Sequence, residues 1–167
     1  MTQTLHKNKT LFDFIAYYQI IGGLYGLYSI TAQLVKLNTV SGLGVIVYLI
    51  IIGLYSFSIY CGNLVRLKKE KGLQITKWCQ LTQLFQFNIS GVAFWYISGF
   101  GVSLGYGKAD DLIQFLYLNL SSMYFKYNLK DTEDFYFFIN LIPIALIFLA
   151  EKLQKKIQNE NKIDNYV

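Results

Sequence analysis

The residues best suited to chemistry are hydroxyls, amides and a thiol in one stretch of the chain. Thr76, Cys79, Gln83, Gln86 and Ser90, then the small Ala93, recur at alternating steps of three and four. On an α-helix these positions fall within an arc of about 100°. One stripe is then polar or small, while the positions around it are Leu, Phe, Ile and Trp. A side-chain amide cannot face lipid tails without losing hydrogen bonds. The stripe therefore either lines a water-filled pore built by several subunits or makes interhelical hydrogen bonds inside a bundle. Asn88 lies off the stripe and needs a partner of its own.

Enzyme chemistry finds little support. His6 is the lone histidine and sits in a polar tail, and Cys61 and Cys79 form no CxxC or Cys/His metal pattern. Both cysteines are expected near a cytoplasmic face, reduced, with no base nearby to activate a thiolate. Asp110 and Asp111 are adjacent, so a helix or strand cannot turn both toward one substrate. Asp13 lies one turn into its apolar block, with Lys9 at i−4 as its interfacial partner. No acid is expected at mid-depth, which argues against a proton- or ion-coupled transporter. The expectation is a chain with no catalytic residue, no cofactor, no metal and no identifiable small-molecule substrate.

The elements that would position these residues are written in the composition. Hydrophobic residues make up 54% and charged residues 15%, against about 25% charged in a soluble domain. The apolar residues lie in four blocks, and a span needs about 20 of them. The reading is an all-α membrane protein, a four-transmembrane-helix bundle in a single membrane domain. Its spans cover about 11–35, 40–65, 78–106 and 135–153, with a tail at 154–167. The first block is too long for a cleavable signal peptide.

Lys7, Lys9, Arg66, Lys68, Lys69, Lys71, Lys77, Lys152, Lys155, Lys156 and Lys162 fall on one side of that layout. Lys36, Lys108, Lys126 and Lys130 fall on the other. The bias predicts both termini and the basic loop 66–77 in the cytoplasm, at the anionic inner leaflet of a cytoplasmic membrane. These cations border apolar blocks, so the bilayer is the expected partner and nucleic acid is not.

The segment 107–134 is the sizeable region on the far side. Two runs around Ser121-Ser122 read as a small extracytoplasmic β-hairpin, with Met123, Phe125, Tyr127 and Leu129 on one face. A short interfacial helix over 112–118 is the alternative. Phe115, Tyr117, Tyr124, Phe125 and Tyr127 are the candidate surface for a partner, either a second copy or another membrane protein. Gly22-x-x-x-Gly26 and Gly101-x-x-x-Gly105 match the spacing of close helix packing. Pro143 is expected to kink the last span, with Asn140 satisfying a freed backbone group.

Cys61-Gly62, the Lys-Lys-Glu-Lys-Gly of 68–72, Asn88-Ile89-Ser90-Gly91 and the Phe/Tyr-rich segment before the last block resemble a group of small bacterial four-span membrane proteins. The resemblance implies a bacterial inner membrane and nothing catalytic. By architecture alone the layout also resembles membrane-disrupting effectors of antiphage systems. The expected function is a non-enzymatic membrane subunit or scaffold presenting a loop to a partner. The alternative is an oligomeric pore, a membrane-disrupting defence effector among the options, lined by the polar stripe.

Overall fold

A computed structural model describes residues 8–36, 42–67, 70–89, 92–109, 112–127 and 135–164. The first two apolar blocks form helices as expected: α1 over Lys9–Leu34 and α2 over Gly42–Arg66. They pack antiparallel and close, because glycines remove the side chains between them. A Cβ on Gly62 would lie 2.7 Å from the Ala16 carbonyl oxygen, and one on Gly23 would lie 2.8 Å from that of Tyr55. Gly26 takes the Tyr55 ring directly against its Cα.

The other two blocks are not spans. Residues 70–106 hold a short helix, α3 over Glu70–Leu81, then β1 (Phe85–Ile89), β2 (Val92–Tyr96) and the first part of β3 (Phe100–Ala109). β4 (Leu112–Leu120), β5 (Met123–Tyr127) and β6 (Phe135–Asn140) follow, and α4 closes the chain over Leu141–Asp164. The six strands form one antiparallel sheet in the order β4-β3-β6-β1-β2-β5. The four-helix membrane bundle is therefore overturned: among the described residues one helix, Gly44–Arg66, is long and apolar enough to cross a membrane.

The physical reason is a period of two that helical spacing masks. In β1, Phe85 and Ile89 are exposed while Gln86 and Asn88 are buried, so apolar and polar residues alternate across the strand. Asn88, the misfit of the helical stripe, sits on one face with Gln86. In β3 the buried positions are Gly101, Ser103 and Gly107, with Leu104 and Tyr106 outside. Gly101 and Gly105 thus lie on a strand, four apart and on one face; Gly105 backs onto the Phe137 carbonyl. Aromatic and β-branched residues fill the outer positions, which suits strands better than a helix.

The sheet is inverted relative to a soluble one. Its concave face carries Gln86, Asn88, Ser103, Asn140, glycines and a ring cluster, and its convex face is almost wholly apolar. Trp95 of β2 stacks on Tyr124 at 4.6 Å and also meets Tyr136 of β6 and Tyr117 of β4. β2 and β4 are not sheet neighbours, so the sheet curls until they meet over its concave face.

The predicted hairpin is also corrected. The two runs are strands about Ser121-Ser122, but β4 pairs with β3 and β5 with β2, at opposite edges of the sheet. β2–β3 and β4–β5 are two long strands bent together. At the bend Gly99 (φ +102) and Ser121 (φ 23) take left-handed backbone, and Ile97 N–H donates to Ser122 O at 2.8 Å and Ser121 N–H to Gly99 O at 2.7 Å. Leu129 lies outside the described residues.

α4 begins at β6 without a break. Pro143 falls in its first turn, where no intrahelical N–H is lost, so it kinks nothing. Asn140 acts as the N-terminal cap: its Oδ1 accepts from Ile142 N–H, and also from Val102 N–H, each at 3.2 Å. Leu146, Ala150, Leu153 and Ile157 form the buried stripe of α4, packed on Phe12, Ile15, Ala16, Val65 and Leu73. The basic segment after α2 is a turn and a helix rather than a loop. Arg66 ends α2, Lys71 and Lys77 ride on α3, and Lys68 and Lys69 lie outside the described residues.

Candidate functional site

α3 buries Gly72, Leu73, Thr76, Cys79 and Gln80 at helical spacing and exposes Lys71, Gln74 and Trp78. It crosses the end of α2 tightly, since a Cβ on Gly72 would sit 2.7 Å from the Leu64 carbonyl carbon. This docking brings the polar faces of α1, α2, α3 and the bend of the sheet to one point.

There a chain of buried hydrogen bonds runs across four elements. Gln19 Nε2 donates to Thr76 Oγ1 at 3.1 Å, and Ser58 Oγ to the Gln19 carbonyl at 3.1 Å. Ser98 Oγ donates to Ser58 Oγ at 2.9 Å, and Ser98 N–H to Gln83 Oε1 at 2.7 Å. Gln83 Nε2 returns to the Cys79 carbonyl at 3.5 Å. Cys61 and Cys79 are both buried, and Gln83 Nε2 donates to Cys79 Sγ at 3.9 Å.

The sheet bend continues the chain. Gly99 N–H donates to Ser121 Oγ at 2.7 Å, Ser121 Oγ to the Gly22 carbonyl at 3.0 Å, and Tyr18 OH to the Phe100 carbonyl at 2.6 Å. Two tyrosines clamp α2 to β2 reciprocally. Tyr96 OH donates to Leu54 O at 2.9 Å and Tyr55 OH to Ile97 O at 3.4 Å, with the rings edge-on at 5.2 Å.

Of the residues read as one polar stripe, Thr76 and Cys79 are on α3, Gln83 is in the following turn and Gln86 is on β1, where its Nε2 donates to Ser103 Oγ at 2.7 Å. All four are buried with partners in this chain, and Ser90 lies outside the described residues. The interior is thus a hydrogen-bonded junction, not a continuous helical lining. Gln19, Ser58, Ser98 and Ser121 were not legible as members. Gln19, a lone amide in the middle of an apolar block, was the one available signal.

Gly22 seats α1 against the sheet bend, while Gly26 faces α2. Of the candidate partner surface, Phe115, Tyr124 and Phe125 are exposed, Tyr117 is half-buried on the concave side, and Tyr127 ends β5 opposite Val92. Among the described residues no group of three or more His, Cys, Asp and Glu side chains could hold a metal ion.

The buried thiols allow a direct check. A membrane-permeant maleimide should leave Cys61 and Cys79 unmodified in the folded protein and modify both in SDS, as read by mass. Modification of either in the folded state would place that thiol at a surface and refute the junction.

Fold and site together define a helical hairpin joined through a polar junction to a curled, inverted antiparallel sheet. No protein-family model matches the chain. No curated protein matches it, and no solved structure does.

Proposed function

We propose that the chain is a non-enzymatic integral membrane subunit that uses the bent strand 112–127 as a docking edge for a partner chain. The observation that carries this is the state of that strand. Its paired residues join β2 and β3 on one side, and among the described residues no strand pairs with its other side. Phe115, Leu116, Leu118, Leu120, Tyr124 and Phe125 are exposed along it. The run contains no proline and one charge, Lys126. Soluble proteins guard such edges with charges, prolines or short strands, because a bare edge recruits another strand. This edge has almost none of those guards, and β-augmentation satisfies its backbone groups. A second copy is the first partner, since an antiparallel pairing of like strands is self-complementary about a two-fold axis.

The membrane setting rests on α2, the one described helix long and apolar enough to cross a membrane, most of which no other element covers. α2 crosses the bilayer with α1 beside it; the convex face of the sheet packs on that hairpin through Phe94, Tyr96 and Met123, and its exposed apolar side chains lie against lipid. The start of α1 and the second half of α4 meet where Lys156 Nζ donates to Asn8 Oδ1 at 3.3 Å. This supports both ends lying on one side, and the lysines there support the cytoplasmic face of an inner membrane.

The test is the mass of the purified protein with a photo-crosslinker at Leu118. Wild type should run as a dimer and crosslink to itself. Leu116→Lys/Leu118→Lys, at exposed sites beside that edge, should give a monomer that keeps the wild-type circular dichroism spectrum but is less stable, because the lysines also replace lipid-facing leucines. A monomeric wild type with no crosslinked partner of any kind would refute the docking edge.

A further inference from the structure

The exposed face of α4 changes character within one turn. Leu141, Ile144 and Phe148 are exposed and apolar, and Phe148 is 72% exposed; Lys152, Lys155 and Lys156 follow at once. α3 packs on the buried stripe of α4 through Leu73 and carries an exposed aromatic next to an amine: Trp78, 65% exposed, follows Lys77. Aromatic rings beneath amines are the arrangement of a membrane–water boundary.

At that boundary a shallow, open cleft runs along one face of α4, over Phe148, Glu151, Lys152, Lys155, Lys156 and Asn159. Glu151 is matched by Lys155 at 2.8 Å, so three lysines against one carboxylate leave the lining with a surplus of positive charge. Phe148 gives this face an apolar end, and the lysines beyond it offer N–H donors to an anion.

We propose that this cleft is a binding site for the headgroup of an anionic phospholipid. The phosphodiester sits among Lys152, Lys155 and Lys156, and the first methylenes of the acyl chain lie along Phe148. The charge surplus favours an anionic over a zwitterionic headgroup, and the ring favours a lipid over a free anion. The site rests on the membrane reading above and adds a lipid preference to it. It would make the seating of the subunit depend on the anionic content of its leaflet.

The experiment uses the full chain in neutral detergent, with bound lipid counted by native mass spectrometry. The probes are phosphatidylglycerol, phosphatidylcholine and inorganic phosphate. Phosphatidylglycerol should bind in preference to both others, and Lys152→Gln/Lys156→Gln should weaken it about 30-fold, at about fivefold per lysine. Because Lys156 also holds Asn8, Lys152→Glu alone is the second variant; it should weaken binding while Lys152→Arg keeps it. Equal binding of phosphatidylcholine, or variants that bind as wild type, would overturn the site. Phosphate that displaces phosphatidylglycerol at equal concentration would reassign it to a free anion. Flotation with liposomes after alkaline carbonate separates the two readings. A chain that does not float fails the membrane reading itself, whereas one that floats without headgroup preference fails only this site.

Discussion

Gly22→Leu is expected to unseat α1 from the sheet and to cost about 3 kcal/mol or more, beyond the usual range for an overpacked core. A Cβ on Gly22 would strike the Gly99 amide nitrogen and lie 2.6 Å from the Ser98 carbonyl carbon. Both are backbone atoms of a bend already fixed by hydrogen bonds to Ser121, so neither can swing aside as a side-chain tip would. The same bend supplies Ser98 to the Gln83 contact, so the loss should spread into the polar junction. In detergent the melting temperature should fall by about 6–12 °C, at about 2–4 °C per kcal/mol for a chain of this size. Gly53→Ala is the control. Nothing lies within 4 Å of a Cβ there, so the change should be neutral or stabilising by up to about 1 kcal/mol through helix propensity. An unchanged melting temperature in Gly22→Leu would mean that α1 and the bend do not touch.

Two buried glutamines three residues apart should respond with opposite signs. Gln83→Leu removes the acceptor of Ser98 N–H and leaves a buried donor unpaired, at a cost of about 1–3 kcal/mol. Adding Gln86→Leu orphans the Ser103 hydroxyl, and the double variant should lose about 2–5 kcal/mol. Gln80 is equally buried, yet neither its Oε1 nor its Nε2 has a hydrogen-bond partner among the described residues. Its amide is desolvated without return, so Gln80→Leu should be neutral or stabilising by about 1 kcal/mol. Thermal unfolding of the three variants decides the matter. Destabilisation by Gln80→Leu would mean that its amide holds something polar. Tolerance of the Gln83/Gln86 double variant would mean that those amides face solvent rather than the junction.

Much of the helical hairpin was legible in the residues alone. Blocks 11–35 and 40–65 form α1 and α2 nearly to their expected ends, because long apolar runs with internal glycines at packing distance have few other solutions. Residues 85–106 were not. Their polar positions satisfy a helical stripe through Gln83, Gln86 and Ser90 and a strand pattern through Gln86 and Asn88. Short apolar runs do not separate the two periods, and usual strand patterning places the polar residues outside. Asn88 off the stripe and Gly101, Ser103, Gly105 and Gly107 at even spacing were the signals that favoured strands.

What the residues alone determined is where the apolar blocks lie, where the cations collect and where the first two helices run, because each follows from local composition and period. The tertiary structure alone decided that Ser121-Ser122 is a bend between opposite sheet edges, although the strand runs on either side were local. It also decided that Gln19, Ser58, Ser98 and Gln83 share one buried junction. Those partners stand as far as 40 residues apart. No local pattern encodes such a pairing; it is set when α1, α2, α3 and the sheet bend pack together and their buried polar groups must find one another.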